Sequence, residues 1–374
     1  MMKSLLLLID GLGDDPLTLW QNRTPWEQSL RPYMNKISAS GKEGKISICQ
    51  DDIVPESCSC ILRLLGVPKD AMPKNRAYLE LLANGSDIAE DELVMRCNLV
   101  AIDAAGKMTA FNGAGLNNNV MRQAAEQCSN INGDVRFIHL SEYRNLLILP
   151  HNEDLLSAWI TPPHESVGEV YDELLQDLRK KSKPLDIFLT GAEKELGLFS
   201  HAGIKYGLYP WGVSTKDTLP SFEDLHGRKG AVVCKAEIVQ GIGKALKMCV
   251  KVPPGATGDV DTNIKEKAVA AADLLQNNDF VLVHFNGSDE AAHRKDYLSK
   301  TAFLERIDRE FVAKLFRNFP QLRIVICGDH VTSSLTGKHG RGKVPFIAGI
   351  VNGETAVPII EDYSNIIKFL YTGV

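Results

Sequence analysis

Three short runs, apolar almost throughout, constrain this chain most: Leu5-Leu6-Leu7-Leu8-Ile9, Phe280-Val281-Leu282-Val283 and Leu322-Arg323-Ile324-Val325-Ile326-Cys327. A run without polar alternation has both faces buried, which suits a central strand of a parallel sheet covered by helices. Between such runs the apolar spacing becomes helical. Leu304, Ile307, Phe311 and Leu315 mark one face of a helix over 296–318, and Asp261 or Thr262 can cap another that runs to about 277. Strands are also expected at 46–49 and 345–351. A helix is expected at 26–40 with Leu30, Tyr33, Met34 and Ile37 along one face, and a short one opens at Ser57 and ends at Gly66. Strands alternating with helices predict an α/β fold with a doubly wound, mostly parallel sheet.

The middle of the chain has a different texture. It is more polar, with Asn117-Asn118-Asn119, a helix expected at 165–180, and strands expected at 136–139, 145–149 and 186–190. A chain of 374 residues is long for one small core. The expected organisation is a core of 1–84 with 220–374, into which 85–219 is inserted as a smaller α+β cap. The formal charge of −5 gives no support for a nucleic-acid partner. The apolar run after Lys3 stops at Asp10, too short for a signal peptide or a membrane span. Eight dispersed cysteines suit a reducing cytoplasm, and Cys58-Ser59-Cys60 has no second pair to complete a structural zinc site.

Chemistry gathers where the expected strands end. Asp10 follows the first strand, Asp289 and His293 follow the run at 280, and Asp329-His330 follow the run at 322. In an open parallel sheet, ligands bind beyond the carboxyl ends of the strands. Singly, such an Asp is a turn or cap residue, and Asp289 with His293 reads equally as a helical surface pair. Together with Ser57 and His339 they form a set of oxygen and imidazole donors that suits two divalent metals. Ser57 at a helix amino terminus adds backbone N–H groups for a phosphate. This equipment suits phosphoryl transfer through a phosphoserine, with manganese the first choice of metal and zinc, magnesium or cobalt as alternatives.

At these residues the chain resembles the alkaline phosphatase superfamily, and within it the archaeal-type, cofactor-independent phosphoglycerate mutases and their relatives proposed as homoserine kinases. The resemblance rests on Ile9-Asp10-Gly11-Leu12-Gly13-Asp14, Thr24-Pro25-Trp26-Glu27, Pro55-Glu56-Ser57 and Arg96-Cys97-Asn98. It continues through Pro254-Gly255-Ala256-Thr257-Gly258, Asp289-Glu290-Ala291-Ala292-His293, Gly328-Asp329-His330 and His339 with Val344-Pro345-Phe346. It implies that Asp289, His293 and His339 hold one metal and that Asp10, Ser57, Asp329 and His330 hold the other. Ser57 would then take the phosphoryl group of a phosphoglycerate and return it to the neighbouring hydroxyl. A phosphohydrolase, a phosphotransferase to another small alcohol, or a non-catalytic metal-binding homologue remain alternatives.

Departures cluster near the substrate. The nucleophile loop reads Glu56-Ser57-Cys58 where the family has Gly-Ser-Asp, and Tyr143-Arg144-Asn145 replaces Tyr-Arg-His. Arg76, Arg96, Arg144 and Lys300 are the candidate anion contacts, Arg144 and Lys300 also as catalytic groups. The expected partner is a small phosphorylated substrate, with no membrane and with a homo-oligomer possible.

Overall fold

The computed structural model describes residues 2–47, 56–131, 133–201, 203–216, 218–319, 321–354 and 356–372. The chain forms two compact units, Met1–Met72 with Leu219–Val374, and Pro73–Thr218. The entry boundary thus falls before the helix Ala77–Asn84, which packs on Glu92–Ile102 and Lys205–Ser214 of the second unit.

The first unit is built on seven strands in the order Lys42–Ile46, Val344–Ile350, Arg323–Cys327, Ser4–Ile9, Phe280–Phe285, Gly230–Val233 and Cys249–Lys251. The last five are mutually parallel, whereas Val344–Ile350 runs antiparallel to both its neighbours. Every residue of Ser4–Ile9 is fully buried. Leu5, Leu7 and Ile9 join a cluster with Ala268, Ala271 and Leu275 of the helix Ile264–Asn277, and with Leu304, Ile307 and Phe311. Leu6 and Leu8, by strand alternation, serve the other face, where the helix Tyr363–Thr372 packs. This two-sided burial is why the strand carries no polar residue between Ser4 and Asp10. In register, Ile9 pairs with Phe285 and Leu8 with Cys327, so three parallel strands end at one edge.

The second unit has an antiparallel sheet of Met108–Ala110, Glu92–Ile102, Arg144–Pro150 and Arg136–Ser141, with Lys205–Ser214 also paired to Glu92–Ile102. The helices Asn118–Ser129, Tyr171–Lys181 and Lys183–Leu196 contribute to its core. Among the described residues, no helix is long and apolar enough to cross a membrane.

Several expectations are corrected. The strand expected at 186–190 is the middle of the helix Lys183–Leu196, where Ser182 accepts from Leu185 N and Pro184 sits in the first turn. Leu185, Phe188, Leu189, Ala192 and Leu196 are buried at helical spacing while Ile187 is exposed, so the short apolar run at 187–189 misled. The helix expected from 165 starts at Tyr171. Asn263, rather than Asp261 or Thr262, caps Ile264–Asn277. The strand expected at 46–49 is Lys42–Ile46, and Ile48 and Cys49, like Pro55, lie outside the described residues.

The helix expected at 26–40 is two, Pro25–Gln28 and Pro32–Ser40, and Leu30 between them is 74% exposed. Pro32 disfavours a helical Arg31 and so breaks the run. Arg31 gives the second helix no side-chain cap. Instead the fully buried Asp308, in a π-helical turn Asp308–Val312, accepts from Met34 N at 2.7 Å and Tyr33 N at 3.2 Å. Asp308→Ala is therefore expected to lower unfolding free energy by about 1–3 kcal/mol. Urea denaturation reads this directly, and an unchanged midpoint would show that the carboxylate is dispensable.

Candidate metal centre

The carboxyl edge of the first unit's sheet gathers the expected ligands. Asp10 follows Ser4–Ile9, and Asp329 and His330 follow Arg323–Cys327. Asp289 and His293 lie on the helix Gly287–His293, directly beyond Phe280–Phe285. His339 arrives by a short hairpin, in which Thr332 pairs with His339. Among the described residues two potential ligand groups result, Asp289–His330–His339 and Asp10–Asp329–His330, each with donor atoms within 4.8 Å of one another. His293 joins the first: its Nε2 lies 3.1 Å from Asp289 Oδ2 and 3.1 Å from His339 Nε2. Ser57, the first residue of the helix Ser57–Leu64, places Oγ 3.3 Å from both oxygens of Asp10 and from His330 Nε2. All seven expected residues therefore meet within one unit. Cys58, beside the nucleophile position, is buried.

Supporting residues that the sequence reading did not assign complete the arrangement. His284 is fully buried and its Nε2 meets Asp10 Oδ2 at 3.1 Å. A lone imidazole in the otherwise apolar strand Phe280–Phe285 was the available signal. Thr332 Oγ1 donates to Asp289 Oδ1 at 2.5 Å and lies 3.1 Å from His330 Nδ1. With that hydroxyl proton committed to Asp289, Oγ1 accepts from His330 Nδ1–H, which leaves Nε2 facing the ligand set. Gly11 takes a left-handed φ of +60°, and a Cβ there would come within 2.7 Å of both Asp289 Oδ1 and Thr332 Oγ1. Only glycine fits so close an approach. Its N–H donates to Asp329 Oδ1 at 3.0 Å.

Lys300 is corrected. Expected to touch substrate, it is fully buried, and its Nζ reaches Asp14 Oδ2 at 2.7 Å and the carbonyl oxygens of Gly11, Thr332 and Gly13 at 2.8, 3.1 and 3.3 Å. An ammonium has three protons, and these four acceptors occupy them. Lys300 thus ties the Asp10 loop to the segment carrying Thr332. Asp14, likewise unassigned from the sequence, also accepts from Ser334 N and Oγ.

The arginines belong to the second unit. Glu80 accepts from Arg96 Nε on one oxygen at 3.0 Å, and its other oxygen forms an ion pair with Arg76 Nε, also at 3.0 Å. Arg96 also stacks 4.0 Å from the Trp211 ring centroid, and burial pulls it down to about 10 against the opposing Glu80 charge. Arg144 Nη2 donates to Ser141 Oγ at 2.8 Å.

Electrostatics in the centre are those of buried acids facing imidazoles. Burial raises Asp10, but hydrogen bonds from His284 and His330 outweigh it and hold the carboxyl at about 2. Asp289 goes well below the usual range, burial being overcome by His293 and His339. Asp329 is pushed up to about 6, first by burial and then by the Asp10 charge. His293 rises to about 9 through its bond to Asp289, and His330 to about 10 because the charges of Asp329 and Asp10 outweigh burial. One buried oxygen, Asp329 Oδ2, has no hydrogen-bond partner among the described residues. His330 Nε2 stands 3.5 Å from it, and a buried carboxylate oxygen among like charges is costly unless a cation stands beside it. The donors, carboxylate oxygens and imidazole nitrogens without thiolate, fit divalent metals.

A family model described as the Metalloenzyme superfamily matches residues 2–358, and the chain belongs to that superfamily. Among curated relatives, the 2,3-bisphosphoglycerate-independent phosphoglycerate mutase of Methanosarcina barkeri is 30% identical, over 92% of this chain and 89% of that protein. The protein of the same name from Methanothrix thermoacetophila is 28% identical, over 93% and 91%. A cofactor-independent phosphoglycerate mutase from Thermoplasma acidophilum shares the fold, with TM-score 0.64 and 22% identity over 99% of each chain.

Two outcomes are expected. Thr332→Val should weaken metal binding about 10–100-fold, with Thr332→Ser retaining most of the affinity; equal affinity in all three proteins by calorimetry would remove the orienting role. In the metal-free protein His293 and His330 hold protons at neutral pH, so metal loading must displace them. Both have folded values above the ordinary 6.5, so their contribution to metal-free stability is full below about 6.5 and lost as pH rises through about 9 and 10. Metal affinity should accordingly rise between pH 6 and 9, with proton release visible as a buffer-dependent binding enthalpy; a pH-independent affinity would contradict it.

Proposed function

We propose that this protein is a metal-dependent phosphomutase that interconverts 3-phosphoglycerate and 2-phosphoglycerate through a phosphoserine at Ser57. The observation that carries the reading is Ser57 Oγ, at the start of a helix and 3.3 Å from Asp10 and from His330 Nε2, the imidazole shared by the two groups of metal donors. The names of the relatives, over nine-tenths of the chain, support the same substrate.

Asp289, His293 and His339 would hold one divalent ion, and Asp10, Ser57, Asp329 and His330 the other. Once bound, two such ions, manganese by first choice and zinc, magnesium or cobalt within the same donor chemistry, neutralise phosphoryl oxygens and make the serine hydroxyl more acidic. Ser57 Oγ gives up its proton and forms the new bond to phosphorus as the bond to the substrate oxygen breaks, and that oxygen takes up a proton in exchange, so the step is proton-neutral. Asp10 orients the serine hydroxyl by accepting from it. In the second half, the neighbouring hydroxyl of the retained glycerate attacks the phosphoserine and Ser57 is regenerated. The first backbone N–H groups of Ser57–Leu64 favour the phosphate's negative charge. Of the three arginines we assign Arg144 to the substrate, because it lies in Tyr143-Arg144-Asn145, the segment that resembles the family's Tyr-Arg-His. Free cysteines such as Cys58, Cys60 and Cys327 suit a cytoplasmic setting, and a phosphoglycerate substrate would place the reaction in glycolytic carbon flow.

The test is phosphorus NMR of the manganese-loaded protein with 3-phosphoglycerate, followed after chelation, with Ser57→Ala as control. Formation of 2-phosphoglycerate, lost by more than a thousandfold in the mutant, is the expected result. Inorganic phosphate would identify a phosphohydrolase. An unchanged spectrum despite two bound metals would favour another phosphoester or the non-catalytic homologue, and would direct attention to Glu56 and Cys58.

A further inference from the structure

His293 is a ligand that packing holds weakly. Its side chain is 40% exposed, so the direction of its ring depends on hydrogen bonds. Its backbone is settled where the helix Gly287–His293 ends: Lys295 N donates to Ala292 O at 2.8 Å and Asp296 N to Ala291 O at 2.9 Å. The ring is settled from another segment, since Nδ1 meets the carbonyl oxygen of Gly337 at 2.9 Å. A carbonyl oxygen only accepts. Nδ1 therefore carries a proton whether the ring is neutral or charged, and Nε2 is the atom left for a metal. The loop 333–338 that presents this carbonyl is fixed by its own bonds. Ser333 N donates to Lys338 O at 3.0 Å and Gly337 N to Ser333 O at 2.8 Å, while Ser333 Oγ accepts from Leu335 N at 3.2 Å and Thr336 N at 3.1 Å. Ser334 fastens the loop to Asp14 through N at 2.7 Å and Oγ at 2.5 Å. Gly337 takes a left-handed φ of +73°, and a Cβ there would stand 2.8 Å from His293 O. Only glycine lets the loop come this near the helix end.

We infer that Gly337 is a positioning residue for His293, and that the loop 333–338 sets the affinity of the group Asp289, His293 and His339 separately from that of Asp10, Asp329 and His330. This role rests on the metal reading of the centre and not on what Ser57 turns over. The loop leads directly into His339 and orients His293, so two of the three ligands of one ion depend on it. The other group is placed differently. Asp10 and Asp329 follow the central strands Ser4–Ile9 and Arg323–Cys327, and the His330 ring is held by Thr332. A disturbance confined to the loop therefore loosens one ion and spares the other, which gives the two sites unequal affinities under separate structural control.

The experiment adds zinc alone to the full-length, metal-free protein and follows the ring nitrogens of His293 and His330 by long-range proton–nitrogen NMR. The signals are assigned by their loss in His293→Gln and His330→Gln. In the parent protein zinc should shift His293 Nε2 while Nδ1 keeps its proton. Gly337→Ala should weaken zinc at His293 about 10–100-fold, as loss of an orienting partner does, with the affinity read at His330 unchanged. Ser333→Ala removes the acceptor of two loop N–H groups without touching His293, and should weaken the same site about fivefold; it decides the matter should Gly337→Ala fail to fold. Zinc on His293 Nδ1, an equal loss at both rings, or unchanged affinity at His293 in the variants would each overturn the role of Gly337. Absence of any zinc shift at His293 in the parent protein would overturn the metal reading along with it. A failed phosphoglycerate assay bears on neither.

Discussion

Asp10 stands buried at the end of the central strand, with His284 Nε2 at 3.1 Å from one oxygen and His330 Nε2 at 3.2 Å from the other. Asp329, likewise buried, lies close enough to raise its own carboxyl through the Asp10 charge. Two acids withdrawn from water on adjacent strands are tolerated only with positive partners, whether imidazolium or metal. The other features of the edge follow from that requirement. Imidazoles converge on it, Ser57 enters it by a helix start, and Gly11 lets the loop pass close enough for its N–H to serve Asp329.

Holding these groups in register takes a second tier of contacts, all in the first unit. Lys300 ties the carbonyls of Gly11 and Gly13 to that of Thr332, while Thr332 joins Asp289 to His330. A side chain serving both ligand groups couples their geometry, so a displacement at Asp289 reaches His330 through one hydroxyl. Lys300 acts through position rather than contact with substrate, because a fully buried ammonium with four acceptors has no proton left to offer.

Much of the fold was legible because burial on two faces leaves a simple trace. Ser4–Ile9, Phe280–Phe285 and Arg323–Cys327 read as strands since every position must be apolar or nearly so, and the acids following them read as an edge. Legibility failed where local pattern is ambiguous. Ile187-Phe188-Leu189 has the look of a strand, and only the burial of Leu185, Ala192 and Leu196 with Phe188 and Leu189 makes it helical. Pro32 announced a helix break that the apolar spacing over 26–40 concealed.

For this protein the sequence by itself determined the sheet, the set of seven donors and the chemistry they suit, because strand periodicity and side-chain functional groups are local properties. Tertiary structure decided which charges serve chemistry and which serve the scaffold. Lys300 and Arg96 look like anion contacts in one dimension, yet folding closes one on backbone carbonyls and the other on Glu80 and Trp211. The ring orientation of His330 was likewise settled by Thr332. A hydrogen bond to a particular ring nitrogen depends on which strands become neighbours, and composition and spacing carry no record of that.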